Sequence, residues 1–320
     1  MTECNRREFF KTAAVGAAAL LPSRSAAGSR PDSESLVAHL FKTLGEDQKR
    51  EILFPFEHPL RSKVDNNWHI TPARVGTAFN RDQRAMVREI FRGLHAPDFV
   101  ERAFQQIEDD GGGLDNYSPA FFGDPGAGKF EFVLTGRHRT VRCDGDSVDG
   151  AAFGGPIFYG HEGEQFYEKP SHPNNVYWYQ ALRANEVFRA LDHKQRKAAL
   201  LGDARAERAS RTVALGAAAP EGLPVAEMSR DQRELVERVL DDLLRPFRER
   251  DRLESMKLIR DNGGVEALSM AFYRNHDIGG DGVWDVWQLE SPTMIWHFRG
   301  APHVHVWVNV QDNPARRRRV

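Results

Sequence analysis

Thr293-Met294-Ile295-Trp296-His297-Phe298-Arg299-Gly300-Ala301-Pro302-His303-Val304-His305-Val306-Trp307-Val308-Asn309 reads as two strands joined by a short turn. The second arm alternates strictly, with His303, His305, Trp307 and Asn309 on one face and Val304, Val306 and Val308 on the other. That period of two is the mark of a half-buried strand. Residues two apart on a strand point the same way, roughly 6.5 to 7 Å apart, so His303 and His305 are placed to converge on one metal ion. The turn length decides what His297 does. With a four-residue turn Phe298 opposes His303, Trp296 opposes His305 and His297 points away; a five-residue turn reverses this.

Outward from this hairpin, the middle of the chain has the same period. Phe130, Phe132 and Leu134 alternate with Glu131, Val133 and Thr135, and Thr140-Val141-Arg142 continues the strand pattern past Gly136. Asp144-Gly145-Asp146 is a turn signal, and the Gly- and aromatic-rich run Val148 to Tyr159 completes a hairpin or meander. Elsewhere the spacing is helical. An apolar residue, a capping residue, two more residues, then Gln and a basic residue recur at Leu44-Lys49, Phe79-Arg84, Leu191-Arg196 and Met228-Arg233. Asn80, Asp192 and Ser229 are good N-caps, and the Gln three residues on completes a capping box. Ile52, Val87 and Val236 then fall on the core side. The irregular spacing of the four copies argues for helix starts rather than a repeat array. Helices are expected over much of 33–110, over 173–191, near 195–209 and over 229–250, with one or two more within 256–276. Strands at the centre and the end with helices on either side predict an α+β fold, a mainly antiparallel central sheet flanked by several helices. It would occupy 29–320 as a single domain with a helical N-terminal part.

The 320 residues carry 44 Lys and Arg against 46 Asp and Glu, which leaves no basic field for nucleic acid. The Arg316 to Arg319 run reads as a solvated tail. No apolar run approaches the roughly 20 residues of a membrane span. The only cysteines, Cys4 and Cys143, exclude a disulfide scaffold and a CxxC zinc site. Asp144 and Asp146 beside Cys143 disfavour its thiolate, so a nucleophilic role is not expected. Asn5-Arg6-Arg7-Glu8-Phe9-Phe10-Lys11, the apolar Thr12 to Leu21 and the small residues Ser25-Ala26-Ala27-Gly28 have the layout of a twin-arginine signal peptide over 1–28. An exported, periplasmic or extracytoplasmic protein is expected, and that route carries folded proteins, often with a cofactor already loaded.

Several motifs carry no chemistry. Gly123-Asp124-Pro125-Gly126-Ala127-Gly128-Lys129 approaches a phosphate-binding loop, but Phe130 stands where a magnesium-binding hydroxyl is needed and a strand follows in place of a helix. Asp144, Asp146 and Asp149 lack the distal Glu of a calcium loop and read as a turn. Trp284, Trp287, Trp296, Trp307 and the Tyr177-Trp178-Tyr179 run admit an aromatic pocket for a small-molecule ligand, with core packing the favoured reading. Of the 12 histidines, His39, His95 and His193 lie in charged helical surroundings and read as solvated. His138 lies in the central strand region, His161 follows an apolar run, and Glu162 is next to it. Three neutral imidazoles leave an open position on zinc, copper or iron, and antiparallel pairing would bring His138 beside His303 and His305.

Phe122-Gly123-Asp124-Pro125-Gly126-Ala127-Gly128-Lys129-Phe130-Glu131-Phe132-Val133-Leu134-Thr135-Gly136-Arg137-His138 resembles a segment, ending in G-H-H, of an uncharacterised exported family known only as domain of unknown function DUF3500. The Gly-rich Phe153 to Gly160 segment, the D-x-x-Q-R helix starts and the late H-x-H strand match that family's layout in order, over nearly all of 29–320. The resemblance implies that His138 is the second histidine of G-H-H and that His303 and His305 are the H-x-H pair. Arg137 replaces the first histidine, and His161 stands where a small residue is usual. The expected site is therefore a divalent transition metal (zinc, copper or iron) on His138, His303 and His305, with His161 as a fourth ligand and Glu162 as general base. The expected function is a metal-dependent hydrolase or oxidoreductase; the alternative is a non-enzymatic periplasmic or envelope protein that binds a ligand or serves a structural role.

Overall fold

The computed structural model describes residues 32–162, 172, 175–216, 218–277 and 280–313. The expected signal peptide and arginine tail lie outside them. The chain runs α1 (Ser33–Lys42), α2 (Glu46–Ile52), β1 (Leu53–Phe54), α3 (Val75–Ala78), α4 (Arg81–Gly93), α5 (Val100–Gly111), β2 (Ser118–Gly123), β3 (Phe130–Gly136), β4 (Arg139–Cys143) and β5 (Ile157–His161). It continues with α6 (Trp178–Ala190), α7 (His193–Ala199), β6 (Leu200–Leu201), α8 (Ala209–Thr212), β7 (Leu223–Pro224), α9 (Arg230–Leu244), α10 (Glu249–Asp261), β8 (Ser269–Tyr273), β9 (Val286–Ser291), β10 (Met294–Arg299) and β11 (Val304–Val310). The strands form one 11-stranded sheet in the order β1-β2-β3-β4-β5-β11-β10-β9-β8-β6, with β7 beside β8. All pairs are antiparallel except β1 with β2 and β6 with β8. This is the α+β architecture with a mainly antiparallel sheet that the sequence predicts. None of the described helices is long and apolar enough to cross a membrane.

The strand order mirrors itself about the β5–β11 pair, and the helices follow suit: α1, α2, α4 and α5 have counterparts in α6, α7, α9 and α10. The recurring Gln motif belongs to this internal duplication. Gln48 and Gln83 hydrogen-bond to each other in the first series, through Gln48 Nε2 to Gln83 Oε1 at 2.9 Å. Gln195 and Gln232 do the same in the second, through Gln195 Nε2 to Gln232 Oε1 at 3.0 Å. Gln83 Nε2 also reaches the Thr43 carbonyl, and Gln232 Nε2 the Ala190 carbonyl. Each Gln thus caps its own helix and ties it to the partner helix. The copies are irregularly spaced along the chain because they come as two pairs, one per series.

Three parts of the second series differ from the expectation. α7 stops at Ala199, and Leu200-Leu201 joins the sheet beside Phe272 and Tyr273. The helix expected through Arg250 is two helices, and Ser269–Tyr273, expected to be helical, is a fully buried strand. Met270, Ala271, Phe272 and Tyr273 are all buried, so the stretch has no polar alternation to betray a strand. One face of the sheet packs Ile157, Tyr159, Trp296, Phe298, Val304, Val306 and Val308 against the helices. On the opposite face, Phe158 and Trp307 pack under Val64 and Val213. The aromatic residues Trp178, Trp287, Trp296, Trp307 and Tyr177 are buried core, as the favoured reading holds.

Candidate metal centre

β10 and β11 pair with Arg299 opposite His305 and His297 opposite Trp307. The connecting turn therefore has the five-residue form, and His297 shares the face of His305. β11 also pairs with β5, Val304 opposite His161 and His305 opposite Gly160. A Cβ on Gly160 would stand 2.2 Å from the Val304 carbonyl oxygen, so only glycine permits this approach. The strand pattern does not continue past Gly136, as the sequence suggested. Instead β3 and β4 form a hairpin with Gly136 opposite Arg139, and Arg137-His138 is its two-residue tip. His138 takes a φ of 55°, a region that costs a branched or bulky residue more than it costs His or Asn. The tip is clamped by His138 N donating to the Asn66 carbonyl at 3.0 Å and by Gly160 N donating to the His138 carbonyl at 3.1 Å.

These constraints bring three ring nitrogens together. His305 Nε2 lies 3.2 Å from His138 Nε2 and 2.9 Å from His303 Nε2. His138, His303 and His305 are the group that can hold a metal ion among the described residues, with ligand atoms within 4.8 Å of one another. Behind them stand two carboxylates. Asp110, at the end of α5, accepts from His138 Nδ1 at 2.9 Å, and Glu207 accepts from His305 Nδ1 at 2.8 Å. Burial pushes the Asp110 carboxyl up, but the hydrogen bonds from His138 and His161 outweigh it and hold it well below the usual range. Glu207 is likewise raised by burial, then brought down to about 2 by the His305 hydrogen bond and the charges of His305, Arg299 and His297. Ionised carboxylates only accept, so His138 and His305 donate from Nδ1 and turn their Nε2 lone pairs toward each other. Burial, then the neighbouring imidazoles, lowers His303 to about 3. For His305, at about 4, burial outweighs the raising effect of Glu207.

A single proton bridges at most two of three such lone pairs; a metal ion serves all three. At metal–nitrogen bonds of 2.0–2.1 Å, tetrahedral ligands sit about 3.3 Å apart, close to the spacing here. Carboxylates on the far ring nitrogens are the usual means of fixing the tautomer and ring orientation of metal-bound histidines. The donor set suits zinc, copper or iron and leaves at least one position for a further ligand.

His161 and Glu162 fall elsewhere. His161 is buried beside Asp110 and Asp109, its Nδ1 3.4 Å from Asp110 Oδ1 and its Nε2 3.7 Å from Asp109 Oδ2. The Glu162 carboxylate pairs with Arg137, while its backbone N donates to Asp110 Oδ1 at 2.9 Å. His297 lies next along the sheet, its Nδ1 3.2 Å from Gln288 Oε1 and its Nε2 3.9 Å from Glu207 Oε1. His39 and His193 are exposed, but His95 is not the solvated residue expected: it is buried against Phe91, with Nδ1 2.7 Å from the Phe91 carbonyl. Cys143 is buried, and burial, then Glu34, pushes its thiol pKa well up. The run after Gly123 leads into β3, which fits a turn and no phosphate loop.

Sequence reasoning missed Asp110, Glu207 and Arg299. Asp109-Asp110 did carry a signal: acidic residues at a helix C-terminus face the negative end of the helix dipole, which calls for a cationic or hydrogen-donating partner nearby. Glu207 lies in an irregular segment and offered none.

A family model described as a protein of unknown function (DUF3500) matches residues 30–312. The chain belongs to that family. No curated protein matches it, and no solved structure does.

Proposed function

From membership of a family with no assigned activity and from this geometry, we propose that the protein is a metalloenzyme. His138, His303 and His305 bind a divalent transition metal, zinc, copper or iron, that acts as a Lewis acid or activates water or oxygen. The class is a metal-dependent hydrolase or oxidoreductase. The observation that carries this reading is the convergence of three Nε2 atoms while two of the opposite Nδ1 atoms are held by carboxylates, the buried Asp110 and the partly buried Glu207. No apolar or structural role needs both. His161 and Glu162 act in the supporting layer, since both bear on Asp110. The N-terminal Arg6-Arg7 segment supports export of the folded, metal-loaded chain.

Metal analysis of protein purified without chelators tests the site. One equivalent of a transition metal is expected in the wild type, and its loss in the His303→Ala, His305→Ala double variant. Metal content unchanged by the two substitutions would overturn the reading. Export is tested separately, by fractionating cells that express Arg6→Lys, Arg7→Lys protein; equal periplasmic yield with and without the change refutes it.

A further inference from the structure

The three ligands are not held alike. His138 sits on a hairpin tip fixed by two backbone hydrogen bonds, and Asp110 fixes its ring. His305 lies within β11, paired on one side with β10 and on the other with β5, and Glu207 fixes its ring. Both side chains are about 5 % exposed. His303 lies outside the strand, in the turn that joins β10 to β11, and is only half-buried. Among the described residues no carboxylate holds its Nδ1. Its backbone carbonyl accepts a long hydrogen bond, 3.4 Å, from Arg299 Nη2. Arg299 is itself anchored to Glu207 at 3.1 Å, and its buried Nε has no hydrogen-bond partner among the described residues.

We infer that His138 and His305 form a fixed platform for the metal, and that His303 is an exchangeable ligand, displaced by a small anion with an oxygen or nitrogen donor atom. This rests on the metal reading above. The physical reason is the difference in organisation. Replacing a ligand whose ring and backbone are already fixed forfeits that preorganisation, whereas a turn residue whose Nδ1 no carboxylate holds among the described residues moves away at little cost. The anionic character follows from Arg299. Its guanidinium lies against the His303 backbone, Nη2 3.4 Å from the carbonyl oxygen, and its buried Nε–H, without a hydrogen-bond partner among the described residues, is a donor of the kind that recognises carboxylates and similar anions. The incoming group donates an electron pair to the metal as the His303 lone pair is withdrawn, so no oxidant or reductant is required.

The probes are zinc, measured by competition with a chromogenic chelator, and azide, measured by the charge-transfer band it adds to the copper-loaded protein. His303→Ala is expected to weaken zinc by about tenfold, and His305→Ala and His138→Asn by more than about a hundredfold. Asn tolerates the left-handed backbone at 138, and circular dichroism confirms that each variant is folded. Azide is expected to bind His303→Ala more tightly than the wild type, and Arg299→Gln about tenfold more weakly than the wild type. Three folded variants with equal losses of zinc affinity overturn this inference while leaving the metal site standing. So does azide binding indifferent to both His303 and Arg299. A wild type without stoichiometric metal overturns the site and this inference together.

Discussion

Asp110→Asn is the sharpest single perturbation of this centre, because it keeps the shape of the side chain and removes only its charge and one acceptor. Asp110 Oδ2 accepts from His138 Nδ1 at 2.9 Å and from Gln106 Nε2 at 2.8 Å, and Oδ1 accepts from the Glu162 backbone N at 2.9 Å. Gln106 is in turn held by Arg139 Nε. An Asn has one oxygen and one NH2 group, so in either orientation the NH2 faces a donor. With the NH2 toward His138, the ring loses the partner that fixes its tautomer. With the NH2 toward Glu162, the start of the segment after β5 loses its anchor. Substitution behind a metal ligand costs 10–100-fold in affinity, about 1.4–2.7 kcal/mol. A buried hydrogen bond to a charged group contributes about 1.5–3 kcal/mol to folding, so the metal-free protein should lose stability as well. The pH dependence has a definite sign. The folded pKa of Asp110 lies below its ordinary 3.8, so its stabilisation is complete above about pH 4 and is lost as pH falls further. Asp110→Asn should therefore lower stability at pH 7 and flatten the acid limb of the curve. Zinc competition and urea unfolding of chelator-treated protein measure the two effects. Zinc affinity within twofold of wild type in a folded Asp110→Asn protein would refute the role given to this carboxylate.

Other expectations concern the frame of the site. Gly160→Ala places a Cβ 2.2 Å from the Val304 carbonyl; the strands must part, at a cost of about 1–3 kcal/mol or more, and a variant with wild-type melting temperature and zinc affinity would contradict the β5–β11 register. Gln83→Ala and Gln232→Ala each remove a nearly buried cap and inter-helix tie and should cost about 1–3 kcal/mol apiece. Because the two sit in separate series, the double variant should show additive losses in urea unfolding, and strong coupling would argue against their independence. Glu254 is raised to about 7 by burial, then by Asp144, Asp251 and Asp146, with Arg250 opposing. A raised acid stabilises fully below its unfolded pKa and loses that contribution as pH climbs through the folded value. The melting temperature should thus decline between about pH 4.5 and 7, and Glu254→Gln should flatten that decline; an unchanged slope counts against it. Cys143 should resist thiol reagents in native protein and react only on unfolding, since its thiol is buried and its pKa well raised.

What the sequence made legible was local in origin. The H-x-H arm is read from period two, and the capped helix starts from the side-chain chemistry of Asn80, Asp192 and Ser229, whose oxygens accept from the backbone N–H of Gln83, Gln195 and Gln232. His138 was legible as a partner only through the order of motifs, because the contact with His305 spans 167 residues. Its hairpin tip was read through as strand, because Gly136 and Arg139 flank only two residues and the alternation resumes without a visible break. The strand Ser269–Tyr273 was hidden by burial on both faces, where period two disappears. The turn before His303 left His297 undecided, since one residue more or less exchanges the two faces. Asp110 and Glu207 come from a helix end and an irregular segment, and only tertiary packing brings them to the histidines.

Set against the internal duplication, the histidine group stands at one end of the sheet and has no twin at the other among the described residues. Both series build a two-residue hairpin tip, Arg137-His138 between β3 and β4 and Pro292-Thr293 between β9 and β10. In each, the second tip residue accepts from a central strand: His138 O from Gly160 N at 3.1 Å, and Thr293 O from Gln311 N at 2.9 Å. The backbones are alike; the side chains are not. His303-Val304-His305 leads into β11, whereas Gly154-Gly155-Pro156-Ile157 leads into β5. The carboxylate at the end of α5 has a counterpart in Asp261 at the end of α10. The second end thus keeps the scaffold and an acidic helix terminus but has neither the tip histidine nor the H-x-H pair. A fold that only needed stability could leave both ends alike. The imidazoles gathered at one end, against Thr, Gly and Pro at the other, give that end alone, among the described residues, a group that could hold a metal ion.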